Sequence, residues 1–116
     1  MPRTALTVQQ PGLAGATPSY GAADATNGNS FVWPGVPCLI HTKNTNGATR
    51  TQTLKANSAA RLGGMSLADQ PLTIPATTGD KMTAIADPAG LLQSDGSIYI
   101  DWSADTGVTI AVVRLE

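Results

Sequence analysis

A chain of 116 residues is long enough for one domain with a two-layer core and too short for a second core. Seven basic against eight acidic side chains, with no lysine or arginine cluster, exclude the electrostatic footprint of a nucleic-acid binder. A single cysteine, Cys38, excludes an internal disulfide and a cysteine metal cluster, and no apolar run reaches membrane-spanning length.

Residues 4–9, TALTVQ, alternate with Leu6 and Val8 on one side. They read either as a first strand or as an extended arm able to pair with another chain. The N-terminus lacks the apolar stretch of a secretory leader, so the chain is expected to be made in a cytoplasm and not exported by that route. Residues 11–29, PGLAGATPSYGAADATNGN, show no helical or strand period. A loop this long either wraps over the domain or becomes ordered against a partner. The chain thus divides into an N-terminal strand or arm with an extended loop, residues 1–30, and a β domain, residues 31–116. Trp33, just before the Pro34-Gly35 turn, reads as a lid over one end of that domain or as a docking aromatic.

Residues 36–43, VPCLIHTK, form the next strand, with Pro37 at its beginning or on an edge and Cys38 as a small buried hydrophobe. Asn46-Gly47 suits the positive φ angles of a type I′ hairpin turn. Residues 48–56 return with Thr49, Thr51 and Thr53 on one face and Arg50, Gln52 and Leu54 on the other. The threonine face is a solvated sheet surface by default; alternatively its hydroxyls offer a flat surface to a sugar or a protein. Residues 58–62 have helical propensity for about one turn before Gly63-Gly64 stops it. A short strand at 71–74 follows, then residues 80–87, where Met82, Ala84 and Ala86 oppose Lys81, Thr83 and Ile85. Residues 88–94 allow a turn of helix.

The chain closes on residues 95–115. Ile98, Ile100 and Trp102 alternate with Ser97, Tyr99 and Asp101, the period of a strand with one buried face. After a polar break at 103–107, Val108, Ile110 and Val112 continue in a run apolar on both sides, which predicts a central position. Seven to eight strands spaced by turn signals predict an all-β, antiparallel β-sandwich of jelly-roll or Greek-key type. Its hairpins lie at 36–56 and 97–115. The expected core is Leu39, Leu54, Leu72, Ile74, Ile98, Ile100, Trp102, Val108, Ile110 and Val112.

Chemistry is sparse. His41 is the sole histidine, with no second one to share a metal, and reads as a sheet-surface residue or as a general base beside a carboxylate such as Asp101. The aspartates mostly sit at turns, and none has calcium-loop spacing. There is no nucleophile elbow and no phosphate-cradling glycine loop. The expectation is a protein that is not an enzyme and takes neither cofactor nor metal.

Three stretches carry a likeness to known proteins: Ala23-Asp24-Ala25-Thr26-Asn27-Gly28-Asn29-Ser30-Phe31; Gly63-Gly64-Met65-Ser66-Leu67-Ala68-Asp69 with Leu72-Thr73-Ile74-Pro75-Ala76; and Asp95-Gly96-Ser97-Ile98-Tyr99-Ile100-Asp101 with Thr106-Gly107-Val108-Thr109-Ile110. In order and spacing they resemble small structural proteins of tailed bacteriophages, over residues 23 to 115. Residues 49–64 depart from that pattern. The resemblance implies a capsid decoration (cement) protein on the outer surface of the virion, bound to the major capsid protein and oligomeric, as a trimer. Residues 1–10 and 11–30 are then the latching parts, and Arg3, Leu6, Val8, Tyr20, Phe31 and Trp33 the contact residues. Removing residues 1–10 is expected to abolish lattice binding and spare the fold. The alternative is a carbohydrate- or receptor-binding β-sandwich module of a phage fibre or head, with Tyr20, Trp33 and Tyr99 as a stacking platform.

Overall fold

The computed structural model describes residues 2–57, 61–62, 65–66 and 68–115. It is an all-β domain of two five-stranded sheets, with no helix among the described residues. The strands are β1 (Thr4–Ala5), β2 (Val8–Gln9), β3 (Gly21–Ala22), β4 (Asn29–Val32), β5 (Cys38–Asn44), β6 (Arg50–Leu54), β7 (Arg61–Leu62), β8 (Met65–Ser66), β9 (Gln70–Ile74), β10 (Gly79–Ile85), β11 (Ser97–Trp102) and β12 (Val108–Arg114). The first sheet runs β1-β4-β11-β6-β9; the second runs β10-β5-β12-β2, with β3 also on β12. β7 and β8 form a separate ribbon. The two sheets hold ten strands in place of the seven or eight expected, because the N-terminal segments contribute two-residue pieces too short to show a period.

Pairing is mixed, not purely antiparallel: β1 lies parallel to β4 and β2 parallel to β12. Residues 4–9 therefore add to one sheet and then the other within the same chain.

Neither expected hairpin forms. β5 and β6 belong to different sheets, as do β11 and β12. The Asn46-Gly47 turn fails as a type I′ turn because Gly47 does not adopt positive φ. Instead the buried Asn44 side chain donates to Ala48 O (2.9 Å) and Pro75 O (3.1 Å) and accepts from Asn46 N (3.0 Å), which carries the chain across the sandwich. β5 and β6 then face each other through the core, where the Thr42 hydroxyl donates to the Gln52 side-chain oxygen. The second arch lands against the first. Thr45 N donates to Gly107 O at 2.9 Å, and a Cβ on Gly107 (φ 80°) would sit 2.8 Å from Asn46 N.

Between the sheets lie Phe31, Cys38, Ile40, Leu54, Ile74, Ile85, Ile98, Ile100, Trp102, Val108, Ile110 and Val112. Each such side chain contributes about 1.5–3 kcal/mol by leaving water. Two expected core members differ. Leu39 shares the outer face of β5 with His41 and Lys43, since Cys38, Ile40, Thr42 and Asn44 are the buried set, and Leu72 is half-buried on the edge strand β9. The helical turn expected at 58–62, and Gly63-Gly64, fall mostly outside the described residues; 61–62 are strand. Residues 88–92 close a hydrogen-bonded turn, with Leu92 N donating to Pro88 O at 3.0 Å, but not the turn of helix expected at 88–94, because Gly90 takes a left-handed φ of 84°.

One buried polar side chain joins three parts of the chain. Asn29, 0% exposed, accepts from Trp102 Nε1 (2.7 Å) and from Asp24 N (2.9 Å), and donates to Thr4 O (3.3 Å). Truncating it leaves the indole N–H with no acceptor in the core. Asn29→Ala is expected to cost about 3 kcal/mol in chemical denaturation. The loss is smaller when Trp102→Phe is already present, because the orphaned donor is gone; additive losses would remove this account.

Candidate functional site

Two outer faces and the sheet edges are what this fold presents. On the second sheet the outer face of β5 carries His41 and Lys43, with Ala111 of β12 opposite His41 on one side and Met82 of β10 on the other. Tyr20, just before β3, lies over this face. Its hydroxyl donates to His41 Nδ1 at 2.6 Å, and the rings meet edge to face at 5.5 Å. The other imidazole nitrogen, Nε2, donates to the Asp80 carboxylate on β10, which fixes the tautomer that lets Nδ1 accept. Lys43 Nζ sits 4.4 Å from the Tyr20 ring centroid, a cation–π contact.

Phenol, imidazole and carboxylate in series are wired like an activated nucleophile. The phenol hydroxyl donates to the imidazole, and the Lys43 ammonium lies over the phenol ring. The relay ties the segment before β3 onto the sheet. Its two nitrogen contacts lie on opposite sides of the ring, so they do not converge on a metal. Among the described residues no group of three or more His, Cys, Asp or Glu side chains does so. A groove of about 360 Å³ runs beside Tyr20 toward Leu6 and Gln9.

Gln9 closes the long loop. Its side-chain amide donates to Ser19 O (2.8 Å) and accepts from Ser19 N (2.7 Å), copying a strand ladder with a side chain. Residues 10–19 are exposed throughout, and Leu13 near the tip is fully so.

The outer face of the first sheet is charged. Arg3 Nη1 meets Asp101 Oδ1 at 2.6 Å, and its guanidinium carbon lies 4.3 Å from the Tyr99 ring centroid. Lys55 pairs with Asp69 at 2.6 Å and stands 4.0 Å from Asp101. Gly28 makes the Arg3 site possible: at φ 79° it has no side chain, and a Cβ there would lie 2.1 Å from Arg3 Nη1. The Thr4 hydroxyl, then the Asn27 and Thr26 amides, hold the Asp24 carboxyl below its ordinary range. The Tyr99 hydroxyl and the Ser97 amide do the same for Asp95, and the phenol is pushed up in return.

The residues singled out in the sequence do not form one site. Arg3 is paired on the first sheet; Leu6 and Val8 are half-buried against the core; Tyr20 caps the second sheet. Phe31 is 1% exposed and unavailable to a partner in this fold. Trp33 is half-buried and packed on the core, the lid arrangement. His41 finds Asp80 and Tyr20 instead of Asp101, and the only sequence signal for Asp80 was its alternation with Met82. Cys38 is buried, its Sγ 3.6 Å from Val36 O, and burial pushes the thiol up. No described helix is long and apolar enough to cross a membrane. No protein family, curated protein or solved structure matches the chain.

Two outcomes follow from this geometry. Gly28→Ala drives Arg3 off Asp101; we expect a lower melting temperature and loss of any further effect of Arg3→Ala in that background. The Asp24 carboxyl titrates lower folded than unfolded, so its contribution is present above the unfolded value and disappears as pH falls below the ordinary carboxylate range, through the folded one. Asp24→Asn should be less stable at neutral pH and lose less stability over that acid interval; an unchanged acid slope would refute the assignment.

Proposed function

We propose that this chain is a non-catalytic structural component of a phage virion, a decoration protein bound to the outer surface of the capsid. The observation that carries the reading is the clasped loop at 10–19, an exposed apolar projection on a rigid two-sheet platform. A decorator gains from such a part, since the loop ends are held and less ordering entropy is lost on contact. The near-neutral charge and the resemblance of residues 23–31 and 95–110 support it. Those two stretches pair in the first sheet, with Tyr99 opposite Ser30, and flank the Arg3 site.

On this reading the latch is the loop and not residues 1–10, since residues 3–9 are already engaged inside the chain through Arg3, β1 and β2. Removing them costs fold stability first. The reading of the chain as a carbohydrate-binding module is weaker, since Tyr20 and Tyr99 lie on opposite outer faces, each already under a cation, and form no common platform.

The test is cosedimentation with expanded phage heads assembled from a major capsid protein of the genome that carries this gene. The intact chain should pellet with them. A variant with residues 11–18 replaced by a short Gly-Ser turn, or Leu13→Asp, should stay in the supernatant with its melting temperature unchanged. A folded intact chain that leaves such heads bare overturns the proposal.

A further inference from the structure

The sheet edges are treated unequally. The outer side of β12 is covered by β3 at one end and β2 at the other, and β4 by β1. The exposed edge β9 carries Pro71. Thr51 O accepts from Ser103 N and Tyr99 O from Lys55 N, so the odd residues of β6 face β11 and the even ones face β9. By the register, residues 70, 72 and 74 of β9 then bond inward while 71 and 73 point out. Proline thus sits where a free amide would have been offered, which blunts that edge.

β10 has no such device. Thr45 N donates to Gly107 O and Leu115 N to Pro37 O, so odd residues of β5 face β12 and even ones face β10. The register then turns the backbone groups of 79, 81, 83 and 85 inward to β5 and those of Asp80, Met82 and Ala84 outward. Among the described residues no strand covers them, and Met82 is 66% exposed.

We propose that β10 is a self-association edge, on which a second copy of this chain adds its own β10 antiparallel about a two-fold axis at Met82. Met82 is the midpoint of the strand. In that register Met82 meets Met82, Asp80 meets Ala84 and Gly79 meets Ile85, so every outward N–H and C=O of one copy finds its counterpart on the other. Asp80 and its symmetry mate stand four residues apart, about 14 Å, with each carboxylate drawn back over its own sheet by His41. Lys81 faces Thr83, with its symmetry mate two residues along; it is the one charge that weakens the pairing. A register centred on Lys81 would oppose two lysines, and one centred on Thr83 would run the pairing past the strand into the bend at Ala86. The product is a dimer, in contrast to the trimer that the resemblance implies, and it stands independently of capsid binding.

Sedimentation of the purified chain up to millimolar concentration should show a monomer–dimer equilibrium, tightened by Lys81→Ser. Met82→Pro removes an outward amide and no β5 bond, so it should be monomeric with a near-normal melt. Should it unfold, single cysteines decide: Met82→Cys brings the paired Cα atoms to about 5.5 Å, within disulfide reach, and cross-links. Ala84→Cys, displaced from its own mate by about 14 Å, does not. The buried Cys38 stays out of the reaction. A monomer at every concentration, a trimer indifferent to Met82→Pro, or equal cross-linking at both positions overturns the proposal.

Discussion

The fold depends on the way Asn29 is satisfied. A fully buried carboxamide is costly unless it is bonded, and this one is bonded to three segments far apart in sequence: the first strand, the turn at Asp24 and the indole of Trp102. Through Thr4 it holds β1 on β4. With β1 in place, Arg3 reaches over Gly28 to Asp101, and the chain can cross to the second sheet as β2. An apolar residue at position 29 would fill the volume and remove one tie on the N-terminal run, the bond to Thr4 O, which the backbone bonds of β1, the Arg3–Asp101 pair and β2 reinforce.

The rest of the interior follows the same logic. Aromatics are few, and four polar side chains, Asn29, Thr42, Asn44 and Gln52, lie fully buried among isoleucines and valines. The three besides Asn29 do topological work as well: Asn44 turns the chain from one sheet to the other, and the Thr42–Gln52 bond joins the sheets across the core. Apart from the β7–β8 ribbon, strands consecutive in the chain are not sheet partners among the described residues. Each large pairing therefore waits for long loops to close, and polar side chains with specific partners restrict which arches can form.

This explains what was legible in the sequence. Alternation at 97–102 named the buried face of β11 correctly, and the all-β class followed from turn spacing and the lack of a helical period. Whether two adjacent strands form a hairpin or an arch is not written in alternation, because both leave the same residues facing inward. That distinction lay in Asn44 and in the φ of Gly47. In β5 both faces offered apolar residues, Leu39 outside and Ile40 inside, and polar Thr42 and Asn44 on the buried side hid its direction. The Tyr20–His41–Asp80 relay was out of reach for a related reason: its members are brought together by the register of β10 on β5, a long-range fact, while Asp101 was the nearer guess by type.

Edge chemistry is where fold and function meet in a protein whose described side chains include no metal-binding cluster. The same N-terminal run that Asn29 secures covers an edge of each sheet, and Pro71 blunts another. A chain that invests in closing three edges and leaves a seven-residue strand open has either a use for that strand or some other guard on it. Lys81 is the only guard visible there, a single flexible charge, and it limits affinity without removing a backbone donor. The hydrogen bond between His41 and Asp80 keeps a carboxylate off the edge, so the relay that pins the loop over the sheet face also clears the strand beside it. Loop and edge thus sit on the same sheet, the loop clasped at Gln9 beside β2 and the open strand β10 along the opposite rim.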